Sequence, residues 1–147
     1  MDGPVDLLSG VLKARRAPQS RVAIGNSRAY TWKDFQEHVA GLCAQLAAQP
    51  SGRWLLCTES SYAFCVGLFS LWQTGRIAVL PPNQQPESLA EASKSVQGLI
   101  TDGALRAGRR PVLSPLAVSA PRRRWRTLNL SHVGLELFTS GSTVSAR

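Results

Sequence analysis

The chain has 147 residues, 44% of them apolar and 18% charged, the size and balance of one globular domain with a buried core. That composition excludes a disordered chain, and no run nears the roughly 18–20 apolar residues that cross a bilayer. The net charge of +8 is uneven: residues 1–105 carry nine Lys/Arg against eight Asp/Glu, and residues 106–147 carry eight Arg against Glu136 alone. The first residues, MDGPVDLLSG, start acidic and lack the basic stretch of a signal peptide, so a cytoplasmic protein is expected.

In chain order, Val5 to Leu12 is a short apolar stretch read as helical, followed by a strand at Arg21 to Ile24. Gly25-Asn26-Ser27 is a turn signal, and Arg28 to Thr31 reads as a second strand, which makes a hairpin. Thr31 is placed to cap a helix, with Asp34 three residues on completing a capping box. Phe35, Val39, Leu42 and Leu46 then fall on one helical face, and the helix ends near Pro50-Ser51-Gly52.

Trp54 to Cys57 is a continuous apolar run, the mark of a strand covered on both sides. Ser60 or Ser61 caps the next helix, which is apolar nearly all round through AFCVGLFSLWQT and stops at Gly75. Ile77 to Leu80 is a second such strand, closed by Pro81-Pro82. Ser88 opens a third helix, LAEASKSV, and Leu99 to Thr101 is the next strand. Strand, helix, strand, helix, strand with short links demands a parallel sheet, so residues 53–102 are read as an α/β unit. Pro111, Pro115 and Pro121 then interrupt the chain, with a short strand at Val112-Leu113, and order returns in a strand at Leu135 to Phe138.

Cys43, Cys57 and Cys65 lie in apolar segments at spacings that match no metal or disulfide pattern, and are read as buried free thiols. His38 is assigned to the polar side of its helix and His132 to a loop, both solvated. Glu59 and Glu136 have no partner carboxylate at a readable spacing. The run Arg122-Arg123-Arg124-Trp125-Arg126 could touch phosphates, but no nucleic-acid-binding signature accompanies it and a solvated loop is expected.

The final strand runs into Thr139-Ser140-Gly141-Ser142-Thr143. Small residues after a strand can turn successive amide N–H groups inward to hold an anion, with the hydroxyls as further donors. The sequence is not a Walker A loop. Leu137 to Thr143 resembles, residue for residue, the phosphate-loop motif [LF]-[FY]-T-S-G-[ST]-T-G-x-P-K of the adenylate-forming superfamily, which includes acyl-CoA synthetases, peptide-synthetase adenylation domains and luciferases. Ala29 to Phe35, Phe64 to Leu80 with Pro81-Pro82-Asn83, and Leu99 to Asp102 are similar to earlier segments of that family, so the resemblance spans residues 20–143. The chain departs from the motif at Val144 in place of Gly, Ala146 in place of Pro and Arg147 in place of Lys.

The resemblance implies an α/β fold: an incomplete N-terminal subdomain with a partly parallel sheet and flanking helices. It divides the chain into a leader (1–20), an α/β unit (21–102), an Arg/Pro-rich connection (103–134) and a strand with a truncated phosphate loop (135–147). It implies a fragment of a ligase that uses ATP and Mg²⁺ to form an acyl-adenylate from a fatty or aromatic acid. The acyl group would pass to a thiol of coenzyme A or an acyl carrier protein. Thr139, Ser140, Gly141, Ser142 and Thr143 would grip the β- and γ-phosphates, and no catalytic residue or metal ligand is assigned. With most of the family's site beyond these residues, the chain alone is expected to be inactive. Nucleic acid is not expected as a partner. The alternatives are a non-catalytic protein binding anions or nucleic acid through the Arg-rich tail, and a non-functional remnant with an open sheet edge.

Overall fold

A computed structural model describes residues 11–13, 16–24, 28–103, 108–121, 124–128, 134–139 and 142–146. Most of the expected first helix, the turn at Gly25–Ser27, Arg122 and Arg123, His132, Ser140, Gly141 and Arg147 lie outside the described residues. Of the first helix, the described part is a 3₁₀ turn at Val11–Lys13. Strands β1 (Arg21–Ile24) and β2 (Ala29–Thr31) pair antiparallel, as expected of a hairpin.

Helix α1 (Trp32–Leu46) starts where local chemistry dictates. The Thr31 hydroxyl accepts from the Asp34 amide at 3.1 Å, and the Asp34 carboxylate accepts from the Thr31 amide at 2.9 Å. Phe35, Val39, Leu42 and Leu46 are all buried. Helix α2 (Ser61–Gln73) takes Ser60 as its cap through the Ala63 amide at 3.2 Å, and the chain leaves it through Gly75 at φ +73°. Helix α3 (Pro86–Ser93) begins two residues before the expected Ser88. Proline fits the first turn because its missing N–H has no helical partner there, and the Gln85 side chain makes no capping bond.

The main sheet has six strands in the order β6-β5-β3-β4-β7-β8, built from β3 (Arg53–Cys57), β4 (Ile77–Leu80), β5 (Gly98–Thr101), β6 (Val112–Leu113), β7 (Gly134–Thr139) and β8 (Ser142–Ala146). The first five run parallel, and β8 folds back antiparallel on β7. The chain passes from β3 to β4 on one side and returns past β3 to β5 on the other. Two crossovers of the same hand then place their helices on opposite faces. α1 and α2 cover the face carrying Trp54, Leu56, Ala78 and Ile100, while α3 covers Leu55, Val79 and Leu99. Gly98 stands opposite Trp54 in register, and a Cβ there would lie 2.5 Å from the indole, so glycine makes room for the fully buried Trp54 ring.

One buried cation organises the helix ends. The Arg76 guanidinium donates to the carbonyls of Leu46 (2.7 Å), Gln49 (2.6 Å), Pro50 (3.0 Å) and Thr74 (3.2 Å). Those acceptors include the end of α1 and the turn after α2, where unpaired carbonyls and the helix dipole both favour positive charge. Three further bonds tie the end of α2 to the last part of the chain: Trp72 Nε1 donates to the Gly134 carbonyl, and the Gln73 amide both donates to and accepts from the Arg126 backbone.

Candidate site at the C-terminal end of the parallel sheet

In an open parallel sheet, a crevice forms where neighbouring strands send their connections to opposite faces. Here that point lies between β3 and β4. A crevice of about 260 Å³ opens there, lined by Cys57, Thr58, Phe64, Leu80, Pro81 and Gln84. A second cavity of about 370 Å³ shares Cys57 and Gln84 and continues to Glu59, Thr101 and Asp102 at the end of β5.

The rim is tied together by polar contacts. Asp102 accepts from the amides of Glu59 and Ser60 at 3.1 Å each, which joins the end of β5 to the start of α2. The positive end of α2 is therefore already matched by a carboxylate of the same chain. Gln84 Nε2 donates to the Thr58 carbonyl at 3.3 Å, and the Gln85 amide donates to Asn83 Oδ1 at 2.8 Å, shaping the loop after β4. Burial raises the pKa of the Cys57 thiol, with Asp102 and Glu59 adding to it, which favours the neutral thiol.

Of the phosphate-loop motif, Leu137, Phe138 and Thr139 lie on β7, the strand paired with β4, whose Leu80 lines this crevice. Leu137 pairs with Leu80, the last residue of β4, so Thr139 extends two residues, about 7 Å, beyond the end of that strand. Thr139 pairs with Ser142 and Phe138 with Thr143. Thr139, Ser142 and Thr143 thus belong to the closed end of a β7–β8 hairpin, and Ser140 and Gly141 lie outside the described residues. The sequence pattern led to an open loop after one strand, whereas Ser142–Ala146 form a second strand.

The base of β7 is pinned from across the sheet. Arg53 on β3 reaches over β4 to Glu136, with Nη2 to Oε2 at 2.6 Å, and its Nη1 donates to the Ser95 carbonyl at 2.7 Å. Glu136 is a structural ion-pair partner, which no spacing could announce across 83 residues.

Two sequence expectations are corrected. His38 is half-buried: its Nδ1 lies 2.8 Å from the Tyr62 hydroxyl, and burial holds its pKa below the ordinary value. Tyr62 stacks on Tyr30 at 3.8 Å, and its own pKa is raised, chiefly by burial. Of the three free cysteines, Cys43 and Cys57 are buried as expected but Cys65 is exposed. In the Arg-rich segment, Arg124 and Arg126 are exposed while Trp125 is buried in the main core, so its ring is unavailable to stack on a base.

No protein-family profile matches the chain. No curated protein matches it either. Solved structures do. The Klebsiella oxytoca NpsA N-terminal subdomain, in complex with 3-hydroxybenzoyl-AMSN, superposes with a TM-score of 0.66 and 22% identity over 97% of this chain and 38% of that one. NpsA-ThdA, an artificially fused Adenylation-PCP di-domain of a nonribosomal peptide synthetase from the same organism, gives 0.68 and 22% over 96% and 32%. The AMPPNP-bound synthetase FmoA3 gives 0.68 and 16% over 95% and 17%. The fold is that of part of an adenylation domain's N-terminal subdomain. The chain spans well under half the length of each of these structures.

Proposed function

We propose that this chain is part of a cytoplasmic ATP-dependent ligase that activates a carboxylic acid, fatty or aromatic, as an acyl-adenylate and passes the acyl group to a thiol. The observation that carries this reading is a coincidence at one end of the sheet: residues matching a phosphate-loop motif lie on β7 and β8, and β7 pairs with the strand whose Leu80 lines the switch-point crevice. In this role Thr139, Ser140, Gly141, Ser142 and Thr143 hold the β- and γ-phosphates of ATP. The acid's carboxylate oxygen bonds to the α-phosphorus, and the bond to pyrophosphate breaks. Such transfers depend mainly on placing the reactants and neutralising charge, which backbone amides and small hydroxyls do at close range.

The neighbours' ligands supply the direction: 3-hydroxybenzoyl-AMSN in NpsA and AMPPNP in FmoA3. The fusion of NpsA to a PCP favours a carrier-protein thiol over coenzyme A as the acceptor. Among the described residues no three His, Cys, Asp or Glu side chains are grouped to hold a metal ion. No described helix is long and apolar enough to cross a membrane. Adenylation by these 147 residues alone is not expected, because the structures they resemble are several times longer.

Titration of the chain with AMPPNP, followed by backbone amide shifts in NMR spectra, tests the reading. Weak saturable binding is expected at the hairpin tip and at Thr58 and Gln84, and Gly141→Val should weaken it several-fold. Absence of saturation, or equal binding by the variant, would remove it. The mass of the native protein, immunoprecipitated from its cells, then separates the roles. A species several times heavier than 15.9 kDa carries a complete site, and one at 15.9 kDa confines the function to binding.

A further inference from the structure

A second opening lies away from the end of the sheet, between the first hairpin and the outer sides of α1 and α2. It is a cavity of about 310 Å³, open to solvent, whose walls include Val22, Trp32, Phe35, Cys65 and Phe69. Protein interiors seldom leave such apolar hollows unfilled, and this volume sits at the small end of the ~300–1,000 Å³ range of ligand pockets. The aromatic walls hold one another: Trp32 stacks on Phe35 at 5.6 Å, and Phe35 meets Phe69 edge to face at 6.2 Å. Side chains braced in this way cannot collapse inward to close the space.

The polar features are few and all point the same way. The Tyr62 hydroxyl in the wall is engaged by His38. Among the described residues no Asp or Glu lines the cavity. The one charge among its described lining residues is Arg16, whose guanidinium lies over the Trp32 ring, 5.0 Å from its centroid, and which has no carboxylate partner among the described residues. A guanidinium held over an aromatic face keeps its N–H edge free for a planar anion. We infer that this cavity binds a small organic acid with a compact apolar body, its carboxylate on Arg16 and its body against Trp32, Phe35 and Phe69. The site is separate from the crevice between β3 and β4 and does not rest on the adenylation reading.

The test uses the full chain and 2-naphthoate, followed by NMR shifts of the Val22 methyls and the Trp32 indole. Saturable shifts confined to these groups are expected. Arg16→Gln, or replacing the ligand with neutral 2-naphthalenemethanol, should weaken binding about three- to five-fold, the range of a partly exposed ion pair. Cys65→Phe, which fills the hollow from an exposed position, should weaken it at least about ten-fold while leaving the unfolding transition in place. Absence of saturation, shifts centred on Leu80 and Gln84, or full binding by a folded Cys65→Phe variant would each overturn the inference.

Discussion

The two faces of the central sheet are protected by different means. On one, two long helices bring Val39, Leu42, Leu46 and Leu71 onto Trp54, Leu56 and Ile100, and none of these side chains is more than 1% exposed. On the other, the eight-residue α3 covers a cluster of only Leu55, Val79, Ala92, Val96 and Leu99. There the sheet relies on polar clamps: Arg53 to Glu136 and Ser95, and Gln97 Oε1 to the Arg53 amide at 2.6 Å. Where the apolar cover is short, charge pairing holds β7 in register beside β4. β7 is held by its ladder with β4, by Leu135 against the main cluster and by the Arg53–Glu136 pair on the thinly covered face.

The sharpest way to break this contrast is to cut equal volumes from both cores. Leu42→Ala should lower the free energy of urea unfolding by about 4 kcal/mol, and Leu55→Ala by about 2–3 kcal/mol, because cost rises with how poorly the site can relax. Equal losses would mean the faces are equally packed. Next, Arg76→Met should cost about 2–3 kcal/mol by leaving carbonyls at the ends of α1 and α2 without a donor. A change under about half a kcal/mol would show that water replaces the guanidinium freely.

A smaller effect distinguishes the clamp. Arg53→Met and Glu136→Gln should each cost about 1 kcal/mol, with less than additive loss in the double variant. Stability of the parent should fall with added salt more than that of the double variant. Additive losses and identical salt slopes would show that the pair contributes nothing.

The smallest effect concerns pH. Burial lowers the His38 pKa in the fold, so the folded state favours the neutral ring. Its contribution is complete above the unfolded value of about 6.5 and is lost as pH falls from there through the folded value. Asp34, whose pKa is lowered chiefly by the Thr31 amide bond, acts in the same direction but from about 3.8 downward. His38→Gln should therefore flatten the stability curve as pH falls below about 6.5, leaving the Asp34 contribution below about 3.8 unchanged. An unchanged slope just below about pH 6.5 would assign it to other groups.

Legibility in the sequence divides by distance along the chain. The Thr31–Asp34 box, the Ser60 cap and the 3.6-residue stripe from Phe35 to Leu46 are local, and all three appear as expected. The start of α3 differs by two residues because Ser88 has the chemistry of a cap, yet Pro86 already defines the first turn. β8 carries no apolar signal: Ser142-Thr143-Val144-Ser145-Ala146 is drawn into the sheet by its ladder with β7. His38 reads as solvated because its partner Tyr62 is 24 residues away on another helix.

The sequence by itself determined strands β1 to β7, the starts of α1 and α2 and the parallel α/β class, because caps, turns and hydrophobic periods act within a few residues of one another. It also carried the TSGST motif. Only the tertiary structure decided which strand ends stand together. Crossovers of one hand force α2 and α3 to opposite faces, and that opens the crevice between β3 and β4. The same packing paired the motif-bearing β7 with β4, tied Glu136 to Arg53, and left an aromatic hollow under Arg16. These are contacts between residues far apart in sequence, and only a folded backbone brings them within reach.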